Sequence, residues 1–382
     1  MLDITKLLSA YVEKDSIRYA DTCSNTYTGT NKGAGPVVAW NITKRCNYSC
    51  KHCYSGSNNQ KGENELSLDE IKNIVDQLKE ANTPVILLSG GEPMIREDIF
   101  SIIEYIRNKK IHVSLSTNGS LIDSKTAFSL KKLGIGYVGI SMDGKKDTND
   151  LFRGTKGAFE NSIKAIENCK RAGQKVGLRF TLQKSNYKEV EDILRIMEYM
   201  DIQRICFYHL VPSGRGKEIK DQILSHKQTK EVVDIIYEYA KKVKGKREVL
   251  TVANHADGPY IYLKTKKEDP HQAQNIYNNL LKNGGNRSGM AICNMDWQGN
   301  IYPDQFSKYL LLGNLRENTF KEIWMKNPLL DDLRNRKEKL KGRCRSCRWL
   351  SICNGNLRAR AYTIHKELWA DDPACYLEDI DI

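Results

Sequence analysis

The run Arg45-Cys46-Asn47-Tyr48-Ser49-Cys50-Lys51-His52-Cys53-Tyr54 places three cysteines in the spacing C-x3-C-x2-C. It follows Pro36-Val37-Val38-Ala39-Trp40-Asn41-Ile42-Thr43, an apolar run that reads as a buried first strand. Three thiolates on one short loop suit a 4Fe-4S cluster; a zinc site, or a disulfide with one spare thiol, are the competing readings. A cubane has four irons, so three cysteines leave one iron open to a substrate or cofactor. A fully ligated cluster mainly carries electrons.

Behind this loop the chain alternates. Leu68, Ile71, Ile74, Val75 and Leu78 recur at helical spacing, and residues 85–89 then read as a strand. Further strands are expected at 112–116, 136–141, 175–182 and 204–210, with helices around 98–108, 124–133, 157–172, 190–200 and 227–242. This α/β alternation predicts parallel strands with outer helices, six units forming a partial (β/α)6 barrel rather than a full one. In such barrels the active site lies at the carboxyl ends of the strands. There fall Ser89-Gly90-Gly91-Glu92-Pro93, Ser116-Thr117-Asn118-Gly119, Ser141-Met142-Asp143-Gly144 and Val211-Pro212-Ser213-Gly214-Arg215-Gly216. After about His255 the rhythm stops. The expected division is an N-terminal arm over 1–33, the barrel over 34–255 and a cysteine-bearing C-terminal domain over 256–382.

That domain holds Cys344, Cys347, Cys353 and Cys375, spaced C-x2-C-x5-C-x21-C. Four thiolates can saturate a second 4Fe-4S cluster or hold a structural zinc. Cys23, Cys169 and Cys206 carry no motif, and Cys293 is expected to be buried rather than a free thiol beside a substrate. The chain has 11 cysteines in 382 residues, no run long enough to span a membrane, and a start that lacks the regions of a signal peptide. A cytoplasmic location is therefore expected, where thiols stay reduced and serve metals. The formal net charge of +13 favours an anionic partner. Aromatics are not interleaved with the basic runs, so nucleic acid is not expected.

Together with Gly90-Gly91-Glu92-Pro93 one strand later, the first cysteine run resembles the cluster loop of the radical S-adenosylmethionine (SAM) enzymes. The resemblance implies that Cys46, Cys50 and Cys53 ligate a cluster whose open iron is chelated by SAM. One electron then cleaves the sulfonium bond, and the 5′-deoxyadenosyl radical takes a hydrogen from an unactivated carbon. His52, where an aromatic residue is commoner, would lie near the adenine. Gly90, Gly91 and Glu92 would bind the methionine amino group. Ser116, Asn118, Ser141 and Asp143 would serve the ribose hydroxyls and the carboxylate, with turns or helix caps as the competing reading. Arg153 is a further carboxylate candidate, as is Arg179, and the glycines of 212–216 would admit the adenine.

The second cysteine set resembles the auxiliary-cluster half of SPASM and Twitch domains. Leu357 and Asp304 stand where the complete SPASM pattern has further cysteines, so two clusters are expected, not three. Residues 293–306 and 340–377, with Leu312-Gly313-Asn314-Leu315 and Ile323-Trp324 between them, look like the NirJ/AhbC group of haem-biosynthesis proteins. So do Leu7-Leu8 and Ser16-Ile17-Arg18-Tyr19. The resemblance implies a carboxylate-rich iron tetrapyrrole, didecarboxysiroheme, as substrate. The AhbC-type branch removes two acetate side chains to give iron-coproporphyrin; the NirJ-type branch modifies propionates on the way to haem d1. Arg179, Arg204, Arg215 and Arg287 are candidates for the substrate carboxylates. His209, His255, Cys293 and Asp304 are candidates to face the substrate iron. An electron donor such as flavodoxin or ferredoxin is implied, with the basic run 334–348 as its dock or simply a solvated face. A SPASM-type peptide maturase and a non-catalytic electron-transfer module are the alternative functions.

Overall fold

The computed structural model describes residues 1–9 and 35–382. Most of the expected N-terminal arm, with Ser16-Ile17-Arg18-Tyr19 and Cys23, lies outside the described residues. The strands are β1 (Leu2–Asp3), β2 (Val37–Asn41), β3 (Val85–Ser89), β4 (His112–Thr117), β5 (Tyr137–Ser141), β6 (Val176–Leu182), β7 (Arg204–His209), β8 (Glu248–Val252), β9 (Ile292–Met295), β10 (Asn300–Tyr302) and β11 (Gly313–Asn314). They form one sheet in the order β1-β8-β7-β6-β5-β4-β3-β2-β9-β10-β11. From β2 to β8 every neighbouring pair is parallel.

Alternation along each strand gives this sheet two unlike faces. Val38, Ile86, Val113, Val138, Leu178, Ile205 and Val249 all lie on the outer face, and all are buried. Helices Leu68–Glu80, Ile99–Asn108, Ser124–Lys132, Ala158–Arg171, Val190–Tyr199 and His226–Val243 follow the six strands in turn. The first buries Ile71, Ile74, Val75 and Leu78, the stripe seen in the sequence, and opens on a Ser67/Glu70 capping box. The inner face is different. Asn41, Ser89, Ser116, Ser141, Arg179 and Tyr208 line it from adjacent strands. Its polarity marks it as the face that meets a ligand.

Two elements were not expected. Helix Lys146–Arg153 follows β5 directly, and β8 adds a seventh parallel strand. The five residues of β8 are short and flanked by charge, and they become a strand because β7 and β1 hydrogen-bond them from either side. The expected end of the barrel at 255 falls between β8 and helix Asp257–Glu268. Beyond it, β9 pairs parallel with β2, so the C-terminal segment continues the barrel's own sheet. Among the described residues no helix is long and apolar enough to cross a membrane.

The basic run at 334–348 is not a uniform surface. Arg334 and Arg336 are buried, whereas Lys337, Lys339, Arg343, Arg345 and Arg348 are exposed. Arg336 donates from Nε to Leu333 O at 2.6 Å, from Nη1 to Asn286 Oδ1 at 2.7 Å and from Nη2 to Ser288 O. It ties the loop before β9 to the helices of the cysteine-bearing segment. Removing it strands buried acceptors. Arg336→Ala should therefore lower the thermal midpoint by roughly 5–10 °C, while Arg345→Ala should change it by less than about 2 °C. Comparable midpoints for the two variants in a thermal melt would contradict this role.

Candidate active site

The cysteine loop leaves the carboxyl end of β2. Cys46 and Cys50 are each 8% exposed and Cys53 is half-buried; all three thiols are free. The loop's carbonyls are held by distant arginines. Arg215 donates from Nε to Cys50 O at 2.9 Å and from Nη1 to Ser57 O at 2.5 Å. Arg96 donates to Ile42 O at 3.1 Å and to Leu66 O at 3.0 Å. Burial pushes the Cys46 thiol up to about 12 and the Cys50 thiol upward, with Arg153 acting against burial at Cys50. Arg153 Nη1 stands 3.7 Å from Cys50 Sγ. Three free thiols on one cation-flanked loop fit a metal group, whose positive charge would draw off their protons. The buried His52 Nδ1, without a hydrogen-bond partner, faces the same region.

The two glycines of Gly90-Gly91-Glu92 are required by the loop itself. A Cβ at Gly91 would lie 2.1 Å from Arg45 O, and one at Gly90 2.6 Å from Thr43 O. Gly91 N donates to Thr43 O at 2.7 Å and Glu92 N to Arg45 O at 2.8 Å. Glu92 is fully buried and accepts from Thr117 Oγ1 at 2.7 Å, Asn118 N at 2.8 Å and Met94 N at 3.2 Å. Asn118 in turn donates to Asn47 Oδ1 at 2.9 Å, reaching the cysteine loop. Ser116 is half-buried on the inner face of β4, opposite Gly139. Ser141 ends β5 in register with Arg179.

Asp143 is wholly buried. Its Oδ1 accepts from Thr181 N at 2.6 Å and its Oδ2 pairs with Arg153. Arg153 closes helix Lys146–Arg153, which stops because Gly154 turns left-handed at φ +63°. A Cβ on Gly154 would lie 2.7 Å from Ser49 O, so this turn too needs glycine to approach the cysteine loop. Phe152 stacks on His52 with centroids 4.4 Å apart and planes at 6°. Burial lowers His52 to about 4, so the ring is neutral at ordinary pH. Glu92, Asn118 and Arg153 thus reach the cysteine loop directly, while Ser116 and Ser141 lie on the inner face of the sheet.

Other expected residues do not. Arg204 sits at the amino end of β7, paired with Glu248 and stacked over Tyr137 at 4.6 Å. Arg215 grips the loop backbone rather than a pocket. A Cβ at Gly214 would meet Cys53 O at 2.3 Å, so that glycine admits backbone. His209 Nε2 bonds Asp257 Oδ2 at 2.9 Å, and Tyr376 Oη donates to Asp257 Oδ1 at 2.9 Å, closing a buried triad. Asp304 accepts from Phe306 N at 2.8 Å and Ser307 N at 3.0 Å within a turn. Cys293 is fully buried in β9, and burial lowers His255 well below its usual range. Arg287 is largely desolvated, which pulls its pKa down. Tyr54, immediately after Cys53, was not anticipated: its Oη accepts from Asn41 Nδ2 at 3.0 Å and lies 3.3 Å from Ser89 Oγ. Arg96 was missed because only its place after Gly-Gly-Glu-Pro hints at it.

In the second cysteine set, Cys344, Cys347 and Cys375 all act electrostatically on Cys353. Burial raises Cys344 to about 12 and Cys375 to about 11, and Cys353 is raised by burial and then by the other three thiols. Asp371 Oδ1 accepts from Cys344 N at 2.9 Å. Asp372 pairs with Arg360 Nη1 at 2.9 and 3.0 Å and accepts from Leu357 N at 2.9 Å. Leu357 packs with Cys206, Leu250 and Val252 in a small apolar group, a place suited to a leucine and not to a ligand. Among the described residues no three His, Cys, Asp or Glu side chains surround a single-ion position.

Burial holds the Glu92 carboxyl at about 7, above the ordinary 4.5. The folded state thus keeps a proton that the unfolded chain has lost, and stability falls as pH rises from about 4.5 to about 7. Glu92→Gln should flatten that part of the profile, measured as thermal midpoint against pH. Parallel profiles for the two proteins would show that Glu92 is not the source.

Residues 40–197 match the Radical SAM superfamily, and residues 288–348 match SPASM, an iron–sulfur cluster-binding domain. The chain is 44% identical to Fe-coproporphyrin III synthase of Methanosarcina barkeri, across 100% of this chain and 99% of that one. It is 35% identical to pre-heme d1 synthase of Dinoroseobacter shibae, across 97% and 92%. The fold matches Streptococcus suis SuiB bound to S-adenosylmethionine with a TM-score of 0.70 at 18% identity, covering 90% of this chain and 78% of that one. With the cysteine loop, the glycine turn and the second thiol set all in place, the chain belongs to the radical SAM enzymes with a SPASM domain, in the NirJ/AhbC haem-biosynthesis group.

Proposed function

We propose that this enzyme removes the two acetate side chains of didecarboxysiroheme to give iron-coproporphyrin. The observation that carries this reading is the 44% identity, across essentially both full lengths, to a protein named Fe-coproporphyrin III synthase. The 35% identity to a pre-heme d1 synthase makes propionate modification the second reading. The likeness to SuiB is one of fold alone, so the maturase alternative draws no functional support from it.

In this reading Cys46, Cys50 and Cys53 hold a 4Fe-4S cluster with one open iron. Cys344, Cys347, Cys353 and Cys375 hold a second, closed one. When bound, the first cluster would supply the electron for one-electron chemistry on SAM. The chain's own residues position and enclose. Gly90, Gly91 and Glu92 shape the wall beside the loop, and Ser116, Asn118 and Ser141 present polar groups along the strand ends. Asp143 fixes Arg153 beside Cys50, and its guanidinium would meet the SAM carboxylate. The flat His52–Phe152 stack offers an apolar, water-excluding surface near the adenine. Reduced thiols at both sites suit a cytoplasmic enzyme, and the exposed Arg343, Arg345 and Arg348 offer an acidic donor such as flavodoxin or ferredoxin a dock beside Cys344 and Cys347.

Mass spectrometry of an anaerobic reaction of reconstituted protein, SAM, reductant and didecarboxysiroheme tests the proposal. Loss of two acetate groups together with 5′-deoxyadenosine is the expected result. Change at the propionates instead would move the enzyme to the haem d1 branch. Deoxyadenosine with an untouched tetrapyrrole would remove both readings and bring peptides forward.

A further inference from the structure

Two cations on the inner side of the barrel form no ion pair among the described residues, although Asp296 and Asp304 act on one of them, Lys308, from beyond ion-pair range. Arg179, on β6, donates from Nη1 to Tyr208 Oη at 3.1 Å, and its Nε is buried without a partner. The groups that act on it electrostatically are Tyr208, Tyr137, Cys206 and Tyr54, none of them a carboxylate. Room has been made for it: a Cβ at Gly139 would lie 2.3 Å from Arg179 Nε. Beside it, a Cβ at Gly177 would lie 2.6 Å from Tyr137 Oη, another buried polar atom without a partner. The guanidinium therefore occupies space that a side chain at Gly139 would fill. Its Nε edge faces nothing that satisfies it.

Lys308 approaches the same face from the C-terminal segment. Its Nζ donates to Asn294 Oδ1 and lies 4.1 Å from the centre of the Tyr302 ring. Asn294 Nδ2 donates to Asn41 Oδ1 at 2.7 Å, and Asn41 Nδ2 to Tyr54 Oη at 3.0 Å. This chain of amides leads from Lys308 to the residue after Cys53. The relay ties Lys308 to Tyr54, at the rim of the cysteine loop, and Arg179 lies on the same inner face of the sheet. A desolvated cation without an anion is unfavourable, and a carboxylate ligand offsets that cost in a bidentate bond to Arg.

We propose that Arg179 and Lys308 form a two-point clamp in the barrel for two carboxylates of one substrate, Arg179 gripping one side-on and Lys308 the other. For the identity of that substrate the proposal rests on the tetrapyrrole reading; for the clamp it does not. The geometry separates Arg179 from Arg204 and Arg215, which are engaged elsewhere. It also adds Lys308, on which the sequence offers no motif.

The test is anaerobic equilibrium binding to the reconstituted holoenzyme, with didecarboxysiroheme and its carboxylate methyl ester as probes. The wild type should prefer the free acid. Arg179→Met and Lys308→Met should each weaken the acid by about tenfold or more, and should bring acid and ester towards equal affinity. Arg179→Lys should recover part of the loss. SAM affinity, read on the same samples, should stay within about twofold, whereas general damage to the barrel would move it too. Wild-type affinity for the acid in both methionine variants, or equal losses for acid, ester and SAM, would overturn the clamp. If the wild type binds neither tetrapyrrole, the substrate reading fails and glutarate becomes the probe. Arg179-dependent protection by glutarate against thermal unfolding would then keep the clamp, and its absence would overturn it.

Discussion

The site depends on close backbone approach to the cysteine loop. Carbonyls of Arg45, Ser49 and Cys53 each stand within 2.7 Å of where a Cβ would be on Gly91, Gly154 or Gly214. Only glycine leaves space for such contact, and three separate segments use it. Arg215 and Arg96 then hold further carbonyls of the loop from outside. The result is a loop fixed from β3, from the helix after β5 and from the segment after β7. Its three thiols keep their place through backbone contacts before any metal adds to the constraint.

The two-faced sheet supplies the rest. Apolar residues in register under the helices make the outer face a continuous core. The inner face, freed from core packing, carries serine, asparagine, tyrosine and arginine. Because β9 pairs beside β2, the cysteine-bearing segment is joined to the barrel by a shared ladder, and Asn294 bonds both Ala39 O and Asn41 Oδ1. The His209–Asp257–Tyr376 triad makes a second connection, from the end of β7 to the residue after Cys375. Two thiol sets far apart in sequence therefore belong to one framework.

Much of this was legible in the sequence. Apolar runs alternating with helical stripes located the six strands and their helices, and cysteine spacing located both thiol sets. The glycine pair at 90–91 was read as an opening for a ligand, and the packing shows that it also admits the cysteine loop. Other readings failed for a common reason. Arg204, Arg215, Arg334 and Arg336 look alike in sequence, yet one is paired with Glu248, one binds loop carbonyls, and the last two are buried. His209 reads as a ligand candidate only until Asp257, 48 residues later, is found beside it.

What the sequence by itself determined is what local pattern encodes: the element type from hydrophobic period, the ligand sets from cysteine spacing, the sharp turns from glycine. These depend on residues a few positions apart. What only the tertiary structure decided is the role of each charged side chain. Whether a guanidinium meets a carboxylate, a carbonyl or a bare glycine depends on segments distant in the chain, as with Arg179 over Gly139. Electrostatic interaction acts through space and is strengthened by burial, and neither distance nor burial is written in the order of the residues.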